Sequence, residues 1–316
     1  MRAISTAHRQ CAFEGLGGAA SGWVGIAPPS GAKPGTPSPV VTESACATAC
    51  GIGAARSIAV TAAPSGEFDD STGPPIRLFG YSPSRSTAAA QLLYACIRGG
   101  AALMSDGYAV YDQIAKAHRL VHLACWAHCR RDFNDALQAL PKNARGPDQL
   151  AAQFIALIGQ LYGVEARGRE LKLGAKDLLA LRQQHSMAVL RQIEALLLVH
   201  LHAVLPGSLL GKALHYLSAQ WPKLSWYVTD GNYPIDNNAC ENSIRPFVVG
   251  RKNWLFSDTV AGANASANLY CLLQTCAANG VEGYRYLRAL LVALHRAQTA
   301  DGYEALLPWN IALPAQ

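Results

Sequence analysis

The chain has 316 residues, half of them hydrophobic, enough to bury the core of one large domain with an insertion, or of two domains. Its net charge of +6 is compatible with a nucleic-acid partner without demanding one, and no run of about 18 uninterrupted apolar residues offers a membrane span. Nine scattered cysteines and a polar start at Met1 to Thr6 predict reduced thiols in a cytoplasmic protein.

Residues 1–70 are dominated by Ala, Gly, Ser, Thr and Pro and show no sustained period of 2 or 3.6, so they are expected to form a poorly ordered arm. Cys46 and Cys50 sit four apart there, but no second ligand pair follows at zinc spacing. From Ile76 the character changes. Ile76 to Tyr81 alternates and predicts a strand, Ser86 to Ile97 an amphipathic helix, and Gly99-Gly100 its end. Ala102 to Tyr108 predicts a short buried strand running into Asp106-Gly107. That pattern puts a carboxylate at a sheet edge where ligands are held, although the same dipeptide also makes an ordinary turn.

Tyr111 to His118 predicts a helix and Leu120 to Cys125 a second buried strand. The strand leads into Cys125-x-x-His128, followed by Arg130 and Arg131. As a zinc half-site this lacks a second pair, so a helix start with locally packed Cys and His is the better reading. The two arginines suit phosphate or plain solvent equally. About 70 residues of helix follow the loop at Pro141 to Pro147, with apolar stripes at Leu150, Phe154, Leu157, Ile158 and Leu161 and at Leu178, Leu179, Leu181, Met187, Leu190, Ile193, Leu196 and Leu197. They predict an antiparallel, coiled-coil-like hairpin. Ser208 to Trp221 predicts a further helix, stopped by Pro222.

The stretch Asp236 to Phe256 opens with an Asp-Asn-Asn cap, and Pro246 is expected to stop the short helix that follows. Glu241 and Arg245 lie one turn apart on it, and Arg251 and Lys252 precede a strand-like Trp254-Leu255-Phe256. A capped carboxylate close to several cations suits a metal beside a nucleic-acid backbone; it equally suits an exposed helix with one ion pair. Two more helices are predicted, over Ala261 to Ala278 and Tyr284 to Ala297, and a Leu- and Trp-bearing tail at Glu304 to Asn310 that docks back on the body.

Several segments in one order now resemble a known family: Ser105-Asp-Gly-Tyr108-Ala-Val-Tyr111, Cys125-Trp-Ala-His-Cys-Arg-Arg-Asp-Phe133, Leu214 to Trp221, Asp236-Asn-Asn-x-x-Glu241-x-x-Ile-Arg-Pro246, Gly250-Arg-Lys-Asn-Trp-Leu-Phe256 and Leu306-Leu-Pro-Trp-Asn310. They are similar to the IS66-type DDE transposases from about Pro74 to Asn310. The resemblance implies an α/β fold, with an RNase H-like core interrupted by an all-α helical insertion. The segments would be an arm at 1–70, the core at 71–140 and 223–300, the insertion at 141–222 and a docking tail at 301–316. It implies two Mg2+ ions held by three acids, with Asp106 and Glu241 in the second and third places. Arg130, Arg131, Arg245, Arg251 and Lys252 become candidates for the DNA backbone, and Cys125 with His128 a structural pair. DNA, as element ends and target, is the implied partner, along with a second copy or other element-encoded proteins, and no membrane.

The first acid departs from the family pattern. Only Asp69 and Asp70 lie in the corresponding region, without the expected aromatic strand, and Asp70 is the candidate carried forward. The first 70 residues read as an out-of-frame or rearranged replacement that leaves a fragment. The function expected is metal-dependent phosphodiester cleavage and strand transfer, silenced if the first acid is missing. The alternatives are a catalytically dead remnant that binds DNA or an intact transposase, and a metal-dependent nuclease.

Overall fold

The computed structural model describes residues 40–45, 56–63, 75–82, 86–95, 97, 99–254, 257 and 259–313. Five strands form one sheet: β1 (Val40–Ala45), β2 (Arg56–Ala63), β3 (Ile76–Ser82), β4 (Ala102–Ser105) and β5 (Val121–Ala124). Their order is β3-β2-β1-β4-β5. β1, β2 and β3 pair antiparallel, whereas β4 runs parallel to both β1 and β5. β1 and β2 fall in the amino-terminal stretch whose overall composition shows no period, at its two segments richest in β-branched residues.

β4 explains why a parallel strand hides its alternation: all four residues are buried, yet they serve two cores. Ala102 and Met104 join the main cluster, while Leu103 clusters with Ala90 of α1 (Thr87–Leu93), Tyr94 of its following turn, and Tyr111, Ile114 and Ala115 of α2 (Val110–His118). The main cluster also takes Trp126 and Phe133 from α3 (Trp126–Gln138). α4 (Leu150–Glu170) adds Phe154, Ile158 and Leu161, and Phe154 stacks on Phe133 with centroids 4.4 Å apart. α5 (Ala175–Leu181) continues through a π-helical turn at 182–186 into α6 (Met187–His200). The stripes of this block therefore do not close on each other alone; they pack into the same core as the sheet. Each fully buried large apolar side chain contributes about 1.5–3 kcal/mol, so sheet and helical block are stabilised together.

Two prolines correct the sequence reading. α7 (Leu209–Ser225) runs through Pro222, and α8 (Asn238–Trp254) runs through Pro246. A proline removes one backbone donor and crowds the carbonyl one turn back, a cost avoided only in the first turn of a helix, and neither Pro222 nor Pro246 lies there. Pro246 lies mid-helix, where that cost is offset by the packing of neighbouring Ile244 and Val248 against Cys240 and Phe79. Trp254 is accordingly the last helical residue rather than the start of a strand, and Leu255 and Phe256 lie outside the described residues.

α9 (Val260–Ala278) covers the open edge of β3 by side-chain hydrogen bonds. Arg77 N–H donates to Thr275 Oγ1 (3.0 Å), Thr275 Oγ1 donates back to the Arg77 carbonyl (3.2 Å), and Phe79 N–H donates to Cys271 Sγ (3.0 Å). Asn279 Nδ2 donates to the Pro75 carbonyl at 2.9 Å. Helix positions 271, 275 and 279 thus serve strand positions 79, 77 and 75. The match is geometric: four helical residues rise about 6 Å, close to the roughly 6.6 Å spanned by two strand residues. Beyond α9, α10 (Gly283–Ala293) and α11 (Ala300–Glu304) pack with the tail, where Tyr286 Oη donates to the Leu306 carbonyl at 3.0 Å. Leu306 is buried there with Cys276, Tyr286 and Leu290.

Candidate functional site

β4 stops at Ser105 because Gly107 takes φ +91°, a turn conformation open to glycine. Asp106, half-buried, sits between them. Its Oδ1 accepts the Tyr108 N–H at 3.0 Å, and its carbonyl accepts Tyr216 Oη from α7 at 3.0 Å. A methyl group at position 107 would lie 3.1 Å from Tyr216 Cε2, so the turn and α7 are in close contact.

Glu241 is built from the other side. Asp236 Oδ1 accepts the Asn238 N–H at 3.0 Å, and its Oδ2 accepts Tyr162 Oη at 2.8 Å, which fixes the entry to α8. Trp126 N–H donates to the Ile235 carbonyl (3.2 Å) and Asn237 N–H to Cys125 Sγ (3.4 Å), stitching this entry to the start of α3. Glu241 lies in the first turn of α8, where the helix dipole favours a negative charge. Its Oε1 is 3.3 Å from His128 Nε2 and its Oε2 is 3.8 Å from Arg131 Nη2. The ion pair expected with Arg245 on the same helix is replaced by these cross-helix partners, and Arg245 is exposed.

Asp106 follows β4 directly, and Glu241 lies against the first turns of the helix that leaves β5, the parallel neighbour of β4. The two acids therefore belong to the same end of the sheet. Tyr216 joins the Asp106 turn to the main core. Burial, first, pushes its hydroxyl pKa up, and the nearby Asp132 and Asp106 carboxylates push it further. Asp132, one turn from His128, is itself raised, first by burial and then by Asp135, against the lowering effect of His128 and Arg131.

Cys125 is fully buried, and burial pushes its thiol up to about 12. It is a neutral packing group, as the sequence expects, whereas His128 turns to Glu241 and its buried Nδ1 has no hydrogen-bond partner among the described residues. Among the described residues no three His, Cys, Asp or Glu side chains converge as a preformed metal cage. Arg130 and Arg131 are exposed on α3. Arg251 and Lys252 belong to the last turn of α8, with side chains outside the described set, and Asp70 lies outside the described residues altogether.

Sequence reasoning missed a second polar cluster beside Asp106. Ser105 Oγ is 2.8 Å from His122 Nε2, His122 Nδ1 is 3.2 Å from Asp112 Oδ1, and Lys223 Nζ donates to the same oxygen. No spacing signal could have found it, because Lys223 and Asp112 are 111 positions apart.

The family described as "Transposase IS66 family" matches residues 62–265, and "IS66 C-terminal element" matches residues 271–309. Two curated proteins of Sinorhizobium fredii are similar. Uncharacterized protein y4qI is 34% identical over 66% of this chain and 38% of its own length. Uncharacterized protein y4jD is 32% identical over 75% of this chain and 46% of its own length. The chain thus spans less than half the length of either relative. No solved structure matches. No described helix is long and apolar enough to cross a membrane. With a match covering most of its length, in which both Asp106 and Glu241 fall, the chain belongs to the IS66 transposase family.

Proposed function

We propose that this chain carries the catalytic core of a DNA transposase, in which Asp106 and Glu241 hold a divalent cation against DNA phosphates. The observation that carries the reading is the placement of both acids at one end of the sheet, with Glu241 held by His128 at 3.3 Å. The donor set fits Mg2+, a hard cation that takes one or two carboxylates and completes its shell with water and substrate phosphate. Bound there, the cation would supply charge stabilisation and an activated water or 3′ hydroxyl for attack on the phosphodiester.

His128 and Arg131 orient the Glu241 carboxylate, while Tyr108 and Tyr216 hold the turn that presents Asp106. Arg130, Arg131 and Arg245, exposed on α3 and α8, with Arg251 and Lys252 further along α8, would neutralise DNA phosphates. A sheet of order β3-β2-β1-β4-β5 supports the RNase H-like core, with 141–222 as its helical insertion. A second cation requires a further acid. Asp70 is one candidate. Glu43 is another, since the pairing Thr42↔Met104, continued by one residue, brings position 43 level with Ser105. The partners would be element ends, target DNA and a second copy or other element-encoded proteins, in the cytoplasm.

The test is incubation with Mg2+ and a supercoiled plasmid carrying this chain's coding sequence and its flanking DNA. Nicking at the element ends followed by joining to a target supports the transposase. Nicking without joining supports the nuclease reading, and DNA binding without nicking the remnant.

A further inference from the structure

The Ser105, His122 and Asp112 side chains stand in the order of a hydrolytic triad, but Ser105 is only 1% exposed and no substrate can reach it. Its role lies elsewhere. Asp112 accepts from Lys223, and as a carboxylate it also needs the Nδ1–H of His122. Burial, Lys223 and, in the opposite sense, Asp112 leave the His122 pKa lowered to about 4, so the ring is neutral and its Nε2 is an acceptor. Ser105 Oγ–H must therefore donate to it, which leaves the Ser105 oxygen to accept the Gly107 N–H at 3.4 Å. The direction of every hydrogen bond in the chain is fixed, and it ends on the amide that follows Asp106. From the same helix, seven residues before Lys223, Tyr216 Oη donates to the Asp106 carbonyl.

We propose that α7 acts as a clamp on Asp106: Tyr216 and Lys223 are positioning residues that fix this acid from two sides, so the helical block sets its geometry for cation binding. This rests on the reading of Asp106 as a cation-holding acid. Tyr216 grips the carbonyl directly. Lys223 acts through Asp112, His122 and Ser105 on the Gly107 amide. The two routes meet within one peptide unit, which a helix serving only to fill the core would have no reason to contact twice.

The test uses the full chain with Tyr216→Phe, which keeps the ring against Gly107, and Lys223→Met. Hydrogen exchange at the Gly107 and Tyr108 amides is read together with Mn2+ affinity by electron paramagnetic resonance. Each variant is expected to speed exchange and weaken Mn2+ by about tenfold, the effect of one lost hydrogen bond. Lys223→Arg is expected to restore both, and the melting temperature to stay near that of the wild type. Unchanged exchange and affinity in both variants, with Asp106→Asn still abolishing Mn2+ binding, overturns the clamp alone. Wild-type Mn2+ affinity in Asp106→Asn overturns the cation reading of Asp106, and the clamp with it.

Discussion

His128 Nε2 lies 3.3 Å from Glu241 Oε1, joining the helix that leaves β5 to the first turn of α8. Neither side chain is more than a quarter exposed, so the contact is shielded from the solvent that weakens surface pairs. A partner that orients a metal-holding carboxylate is worth roughly 10–100-fold in metal affinity or activity. His128→Ala should therefore slow Mg2+-dependent nicking by that factor while leaving the circular dichroism spectrum unchanged. Nicking at the wild-type rate would remove His128 from the site.

His122 gives the fold a one-sided pH response. Its pKa is lowered from 6.5 to about 4, chiefly by burial and next by Lys223, with Asp112 opposing. The unfolded chain then binds more protons between those values, so stability is complete above about pH 6.5 and falls as the pH drops toward 4. The loss attributable to this ring is on the order of 3 kcal/mol at most. Urea unfolding at pH 7.5 and 4.5 should show a smaller acid loss in His122→Gln than in the wild type; equal losses would show that the ring is not held neutral by the fold.

Arg182, 1% exposed, donates to both Glu165 oxygens at 2.8 and 2.7 Å and to the Tyr227 and Asp230 carbonyls at 3.0 and 2.8 Å. It ties α4 and the π-helical turn to the segment that leads into Asp236. Removing one partner strands a buried charge, so Arg182→Leu should cost about 3–5 kcal/mol, and Arg182→Leu with Glu165→Leu should recover much of it. Denaturant midpoints of the two proteins decide this; a double variant as unstable as the single would mean that packing, not charge, is at stake.

At the edge of β3, Thr275 both accepts from Arg77 N–H and donates to its carbonyl. Thr275→Val keeps the shape and leaves both backbone groups unpaired, a loss of about 1–3 kcal/mol. Thermal unfolding measures it, and Thr275→Ser should stay close to the wild type. If valine is tolerated as well as serine, the edge is held by apolar contacts instead.

The helices and β3 are legible because their periods are local, and β4 and β5 because short apolar runs between end signals are. So is Asp106 at a strand end. What escaped was set by distance or by context. The stripe at Phe154, Ile158 and Leu161 could be read as amphipathic, but not that its partner is Phe133 and the sheet core rather than another helix of the block. Pro222 and Pro246 read as stops because a proline penalty is local, while the packing that offsets it is not. For Glu241 the chain shows only Arg245, its neighbour one turn on, because His128 and Arg131 come within reach only after α3 and α8 are laid together. The Lys223 to Ser105 chain spans three elements and has no linear trace.

The central claim is that Asp106 and Glu241 share a cation. Mn2+ titration of the full chain, followed by electron paramagnetic resonance, tests it with Asp106→Asn and Glu241→Gln, substitutions that keep shape and remove charge. One shared site predicts saturable binding in the wild type that each single variant reduces at least tenfold, with the double variant little worse than either. Binding in both single variants as tight as in the wild type would contradict it.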